Sequence, residues 1–190
     1  MNPVTHGLAG WVTANMAPLE RRERAIITLA GVAPDFDGLG MVVDFATRHS
    51  ATPTEWWGTY HHVLGHNLLF GAVLSAVGFG IGRKRLLTAA LTFFSFHLHI
   101  LGDIAGGRGP DGDQWPIHYL WPFSNDPALS WSGQWALNAW PNFAVTIALL
   151  GVTFYAAWRL GRSPLEFVSL RADAGLCATL RRRFGAPAGR

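Results

Sequence analysis

The chain has a single cysteine, Cys177, so no internal disulfide can form and no set of thiolates can gather around a metal. Charge is scarce too. Asp, Glu, Lys and Arg make up 14% of the residues, against about a quarter in ordinary soluble domains. With 49% hydrophobic residues and a mean hydropathy of +0.19, the composition excludes an ordinary soluble domain and points to the membrane. The sequence also lacks a basic stripe with interleaved aromatics, which argues against a nucleic-acid surface despite a pI near 9.6. The first residues have no basic region ahead of an apolar stretch and no clean cleavage site, so they do not read as a removable signal peptide.

What the chain does have is apolar runs bounded by tryptophans and basic turns. Trp56, Trp57, Trp115, Trp121, Trp131 and Trp135 flank the runs, as indole rings do in the headgroup zone. Val4, Leu8, Trp11, Val12 and Met16 recur at helical spacing. After Arg21-Arg22-Glu23-Arg24, a short apolar run stops at Pro34-Asp35-Phe36-Asp37-Gly38, where proline disfavours helix in the residue before it. At 1.5 Å per residue neither arm of this hairpin need cross a ~30 Å hydrocarbon core fully, and a shallow or tilted placement serves as well. Residues 39–59 read as a connection with a short helix outside the lipid. A span then follows His61-His62 and runs to Gly82, and Arg83-Lys84-Arg85 separates it from a second span, Leu86 to Ile104. A Gly- and Pro-rich loop over 105–133 is long enough to be functional. A third span extends from about Trp135 to Trp158, interrupted by Pro141. Ser163-Pro164-Leu165-Glu166 has the pattern of a helix cap with a capping-box glutamate. The expectation is an all-α, multipass membrane bundle of about five helices over residues 1–158, with an Arg-rich cytoplasmic amphipathic tail over 159–190 that ends its helix near Phe184 on the membrane surface.

Placing the basic turns and the tail inside the cell leaves 13 Lys and Arg residues inside and only Arg48 and Arg108 outside. The same orientation brings His6, Asp35, Asp37, His61, His62, His66, His99, Asp103 and His118 to the outer end of the bundle. His99 and Asp103 are four residues apart and share a helix face, so an imidazole and a carboxylate there can grip one ion. Ionisable groups at the end of an apolar span are costly and usually functional. His97, two residues from His99, points about 200° away and is expected to pack or snorkel; His49 is taken as a loop residue. Imidazole and carboxylate donors without thiolates suit Zn, Mn or Fe in a hydrolytic site, and the surplus of donors suits two metals that clamp an attacking water and a leaving oxygen.

The order Thr5-His6-x-x-x-Gly10, Pro34-Asp35-x-Asp37, the His-rich stretch His61 to Asn67, His99-x-x-x-Asp103 and Trp121-Pro122-Phe123 resembles the membrane-bound, YdjM-like metal-dependent hydrolases over residues 1–125. That family is similar in its metal motifs to zinc-dependent phospholipase C and related single-strand nucleases, which implies phosphoester hydrolysis at a metal cluster. The family pattern His-Arg, three residues, His-Ser reads here as His61-His62, three residues, His66-Asn67. Alignment to it pairs His61 with His66, whereas helical spacing pairs His62 with His66. The resemblance implies His6, Asp35, Asp37, His61, His66, His99 and Asp103 as metal ligands, with His62 in the place of the family's Arg as a phosphate-facing group.

The resulting expectation is an inner-membrane hydrolase that cleaves a phosphoester of a small molecule or lipid with a metal-activated water. Asp35 or Asp37 would be the general base, and His118, held between Trp115-Pro116 and Trp121-Pro122, would complete a second metal site or protonate the leaving group. Two other classes compete. A metal-binding or transport protein would need polar groups continuing through the membrane, and residues 68–82 and 86–94 offer only Ser75, Thr88 and Thr92. A scaffold would act through the Arg-rich tail.

Overall fold

The computed structural model describes residues 1–109 and 112–187. Asp111, in the long loop, and Arg190, in the tail, lie outside the described residues. Among the described residues the chain is mostly helical: α1 (Pro3–Ala14), α2 (Arg21–Ala30), α3 (Gly40–Thr47), α4 (Trp56–Tyr60), α5 (Leu68–Ile81), α6 (Arg85–Gly106), α7 (Trp140–Leu160) and α8 (Leu170–Phe184). Tight 3₁₀ turns occupy Ala33–Leu39 and Pro164–Phe167. Within the long loop, Ile117–His118 pairs antiparallel with Ala128–Leu129.

Among the described residues, two helices, α6 and α7, are long and apolar enough to cross a membrane; α2 and the 33–47 segment form a third such span only if their 50° bend counts as one broken segment. Expected as a span, α5 stops at 14 residues, about 21 Å at 1.5 Å per residue. The missing turns are the residues before Asn67, which form an irregular loop instead. Asn67 caps α5, its side chain accepting from Phe70 N–H at 2.9 Å and donating to the Val63 and Leu64 carbonyls at 2.8 and 2.9 Å. Pro141 does not interrupt α7 but opens it, in the first turn, where its missing N–H has no helical partner to lose.

The central helix is α6, packed against α1, α2 and α5. Its buried face carries Thr88, Thr92, Ser95, His99 and Asp103, a polar stripe at i, i+4, i+7, i+11 and i+15. Apolar burial is divided between two small clusters. Ala14, Leu19, Ile26 and Ile27 lie near the α1–α2 turn. Phe96, Ile100 and Ile117 join α6 to the long loop, with Phe70 and Leu74 of α5 against them. Large apolar side chains such as Leu86, Phe143 and Ile147 are exposed, as lipid-facing residues are.

The tail is tied to the bundle by charge. Ser163 Oγ accepts from Leu165 N–H at 3.3 Å, as a cap does. Glu166, however, closes no capping box: it is buried and ion-paired with Arg24 of α2, whose Nε donates to it at 2.9 Å, and it also accepts from Trp11 Nε1 at 3.4 Å. The Ser163 N–H donates instead to Asp173 of α8, at 2.6 Å. A capping box does form at the start of α2, between Glu20 and Glu23.

Candidate metal centre

Each candidate ligand reaches the site from a different local device. Asn2 caps α1, accepting from Thr5 N–H at 2.9 Å, and places His6 in the first turns. Pro34 opens the 3₁₀ turn that presents Asp35 and Asp37. The α6 periodicity sets His99 above Asp103. Between α4 and α5 the backbone turns sharply: His62 has φ +64°, a left-handed conformation that a residue with a side chain rarely adopts. Gly65 passes so close to Pro34 that a Cβ would lie 2.8 Å from its Cα.

These devices converge on Asp103. Its Oδ1 lies 3.1 Å from His6 Nε2 and also pairs with the Met1 amine. Its Oδ2 lies 2.9 Å from His99 Nε2 and 3.3 Å from His66 Nε2. His99 Nε2 is in turn 3.1 Å from His66 Nε2 and 3.7 Å from Asp35 Oδ1. Two sets of donor atoms result, each with all its atoms within 4.8 Å of one another: His6, Asp35, His99 and Asp103, and His62, His66 and Asp103. Asp103 belongs to both. All of these residues are buried except Asp35, whose side chain is 16% exposed.

The ring tautomers follow from what stands behind each imidazole. His99 Nδ1 faces the Gly31 carbonyl at 2.9 Å, His62 Nδ1 the Trp115 carbonyl at 3.2 Å, and His66 Nδ1 the Asp37 Oδ2 at 2.9 Å. Carbonyls and carboxylates only accept, so each Nδ1 carries a hydrogen and each Nε2 is the atom that faces the site. A hydrogen-bonded Nδ1 behind a ligating Nε2 is how metal sites fix their histidines. Burial would discharge His66, but its contacts with Asp103 and Asp37 outweigh that and raise its pKa to about 9. Burial, with the nearby charge of His66, lowers that of His62 to about 3. Asp35 Oδ2 is a buried acceptor with no hydrogen-bond partner among the described residues, and Asp103 Oδ2 meets only the two imidazole Nε2 atoms. An unpaired carboxylate oxygen beside converging imidazole nitrogens and a second carboxylate fits a divalent cation.

The family described as YdjM inner membrane protein matches residues 1–180. The chain belongs to that family. Neither the curated proteins nor the solved structures contain a match. Membership and the apolar helices together make this an inner-membrane protein associated with the lipid bilayer. In this YdjM-family chain, His6, Asp35, His66, His99 and Asp103, all expected ligands, stand in the two donor sets, and His62 joins them. Asp37 and His61 stand outside both sets: Asp37 bridges His61 Nδ1 and His66 Nδ1, at 2.9 Å each, and accepts from Gly65 N–H at 3.0 Å. His118 stands outside as well, its Nδ1 donating to the Asn125 carbonyl at 3.1 Å. His97 turns away, bonded to the Phe93 carbonyl and Tyr119 hydroxyl at 2.8 and 2.7 Å. The Gly31 and Trp115 carbonyls and Gln134, which donates to the Asp103 carbonyl at 2.7 Å, have no signature in the sequence. Asn67, where the YdjM-like pattern reads Ser, serves as a helix cap, a role that Ser fills equally well.

Proposed function

We propose that the protein is a membrane-embedded, divalent-metal-dependent hydrolase that cleaves a phosphoester, with zinc as its metal and manganese or iron as alternatives. The observation that carries this reading is the convergence of the His66 and His99 Nε2 atoms on Asp103 Oδ2. His6, Asp35, His99 and Asp103 would hold one ion, and His62, His66 and Asp103 a second. A divalent ion in such a set supplies Lewis acidity toward a phosphoryl oxygen and toward water. Asp35, the one ligand-group carboxylate at the solvent edge, takes up the proton as general base. His118, in the lining of the cleft beside the site, would protonate the leaving group. Asp37 orients His66 and neutralises the charge around it. In the orientation set by the basic residues the site faces the periplasmic side, and the tail lies in the cytoplasm.

Metal transport is the weaker reading. The polar stripe of α6 is packed against backbone rather than an open path: a Cβ on Gly10 would meet Ser95 Oγ at 3.1 Å and the Thr28 Cα at 3.2 Å. Close approach of small residues and hydroxyls is how membrane helices pack. The test is hydrolysis of bis(p-nitrophenyl) phosphate by the purified chain, before and after stripping with a chelator and after readdition of zinc or manganese. Activity lost on stripping and restored by one of these metals is expected. Metal-loaded protein without hydrolysis of this or any other phosphoester would favour the binding protein.

A further inference from the structure

Next to the ligand groups lies an open cleft of about 380 Å³, walled by Trp57, Val63, Trp115 and Pro116, with His61 and His118 in its lining. That is the size of a small-molecule site. It adjoins the candidate centre: the ring of His61 is 4.3 Å from that of His62, which is 4.5 Å from that of His66. Trp57 and Trp115 stand edge to face at 5.8 Å and 85°, and Trp57 stacks on His61 at 3.8 Å. Among the described residues, no Asp, Glu, Lys or Arg lines the cleft.

Its polar side chains are His61, His118 and Thr59, whose hydroxyl donates to the Glu55 carbonyl at 2.8 Å. His61 Nδ1 is taken by Asp37 Oδ1 at 2.9 Å and His118 Nδ1 by the Asn125 carbonyl at 3.1 Å. Both partners only accept, so each Nδ1 carries a hydrogen and the remaining nitrogen of each ring, Nε2, is the atom left to meet a ligand. Two imidazole nitrogens beside a wall of two indoles complement a ligand with a flat C–H face and hydroxyl groups, since a hydroxyl both donates and accepts. A hydrocarbon chain would leave both nitrogens unpaired.

We infer that this cleft binds a hydroxylated ring, the sugar or cyclitol part of a substrate whose phosphoester reaches the neighbouring donor sets. The inference rests on the phosphoester reading above. The shared chemistry fits either a free sugar phosphate or the headgroup of a lipid.

Calorimetric titration of the metal-loaded full chain separates these cases. One arm compares glucose 1-phosphate and inositol 1-phosphate with ethyl phosphate in detergent. The other compares phosphatidylinositol with phosphatidylcholine supplied in mixed micelles. At least tenfold tighter binding of a ring-bearing probe is expected in one arm, and the arm that shows it identifies the free or the lipid-linked source. Trp115→Ala and His118→Leu should each erase that preference while bound metal, measured by mass spectrometry, stays unchanged. No ring preference in either arm, or a preference that survives both substitutions, overturns the inference. Loss of the phosphoester reading has a different signature: ring-bearing probes bind in the cleft, yet no phosphoester is hydrolysed.

Discussion

At the scale of single residues, the site is defined by what stands behind the ligands as much as by the ligands. Asp37→Asn keeps the volume but weakens the hold on the His66 and His61 rings, and loss of such an orienting carboxylate typically costs roughly 10- to 100-fold in metal affinity. Competition with a fluorescent zinc chelator would measure it, and an unchanged affinity would remove Asp37 from the centre. His66 adds a pH dependence. With its pKa raised to about 9 in the metal-free protein, His66 holds a proton at pH 7 that an incoming ion must displace. Apparent metal affinity should therefore climb about tenfold per pH unit up to about pH 9, with close to one proton released per ion. His62, already neutral above pH 3, contributes no proton. Calorimetry at pH 7 in buffers of different ionisation enthalpy would count the protons, and zero release would contradict this account. The sequence makes the imidazoles and carboxylates legible because residue type and helical spacing carry them. It cannot show that Asp37 stands behind His66 or that His62 takes a left-handed turn, since neither follows from local periodicity.

At the scale of elements, α6 is the best-read part of the chain. Its i, i+4 pair His99 and Asp103 faces inward and His97 outward, as helical geometry demands. The reading of α5 fails for a physical reason: apolar content alone cannot reveal that Asn67 starts the helix and that the residues before it are spent on an irregular loop. Pro141 and Glu166 teach the same lesson. Each is a local signal whose meaning depends on position, Pro141 opening α7 and Glu166 reaching across to Arg24. That buried ion pair joins the tail to α2, with Trp11 of α1 as a third partner. Glu166→Ala would strand the Arg24 guanidinium in the interior, a loss on the order of 3–5 kcal/mol for a buried pair. Thermal unfolding in detergent should fall by many degrees, whereas Arg182→Ala on the exposed face of α8 should leave it nearly unchanged. Equal shifts would mean that the tail is not held by this pair.

At the scale of the whole molecule, one end carries the basic turns and the other the His and Asp side chains, and the few ionisable groups in the apolar part belong to one of these two ends. The positive-inside asymmetry predicts that a cysteine placed at Asp113 reacts with an impermeant thiol reagent from the periplasmic side, while one at Lys84 does not; the opposite labelling would invert the proposed orientation. The bundle exists, on this account, to bring residues from α1, the 3₁₀ turn, the loop before α5, and α6 onto the single carboxylate of Asp103. Metal content of the purified full chain, determined by mass spectrometry for wild type, Asp103→Asn and His97→Ala, tests that most directly. The account predicts bound divalent metal in wild type and His97→Ala, and its near-complete loss in Asp103→Asn. Metal retained in full by Asp103→Asn, or lost equally from both variants, would contradict it.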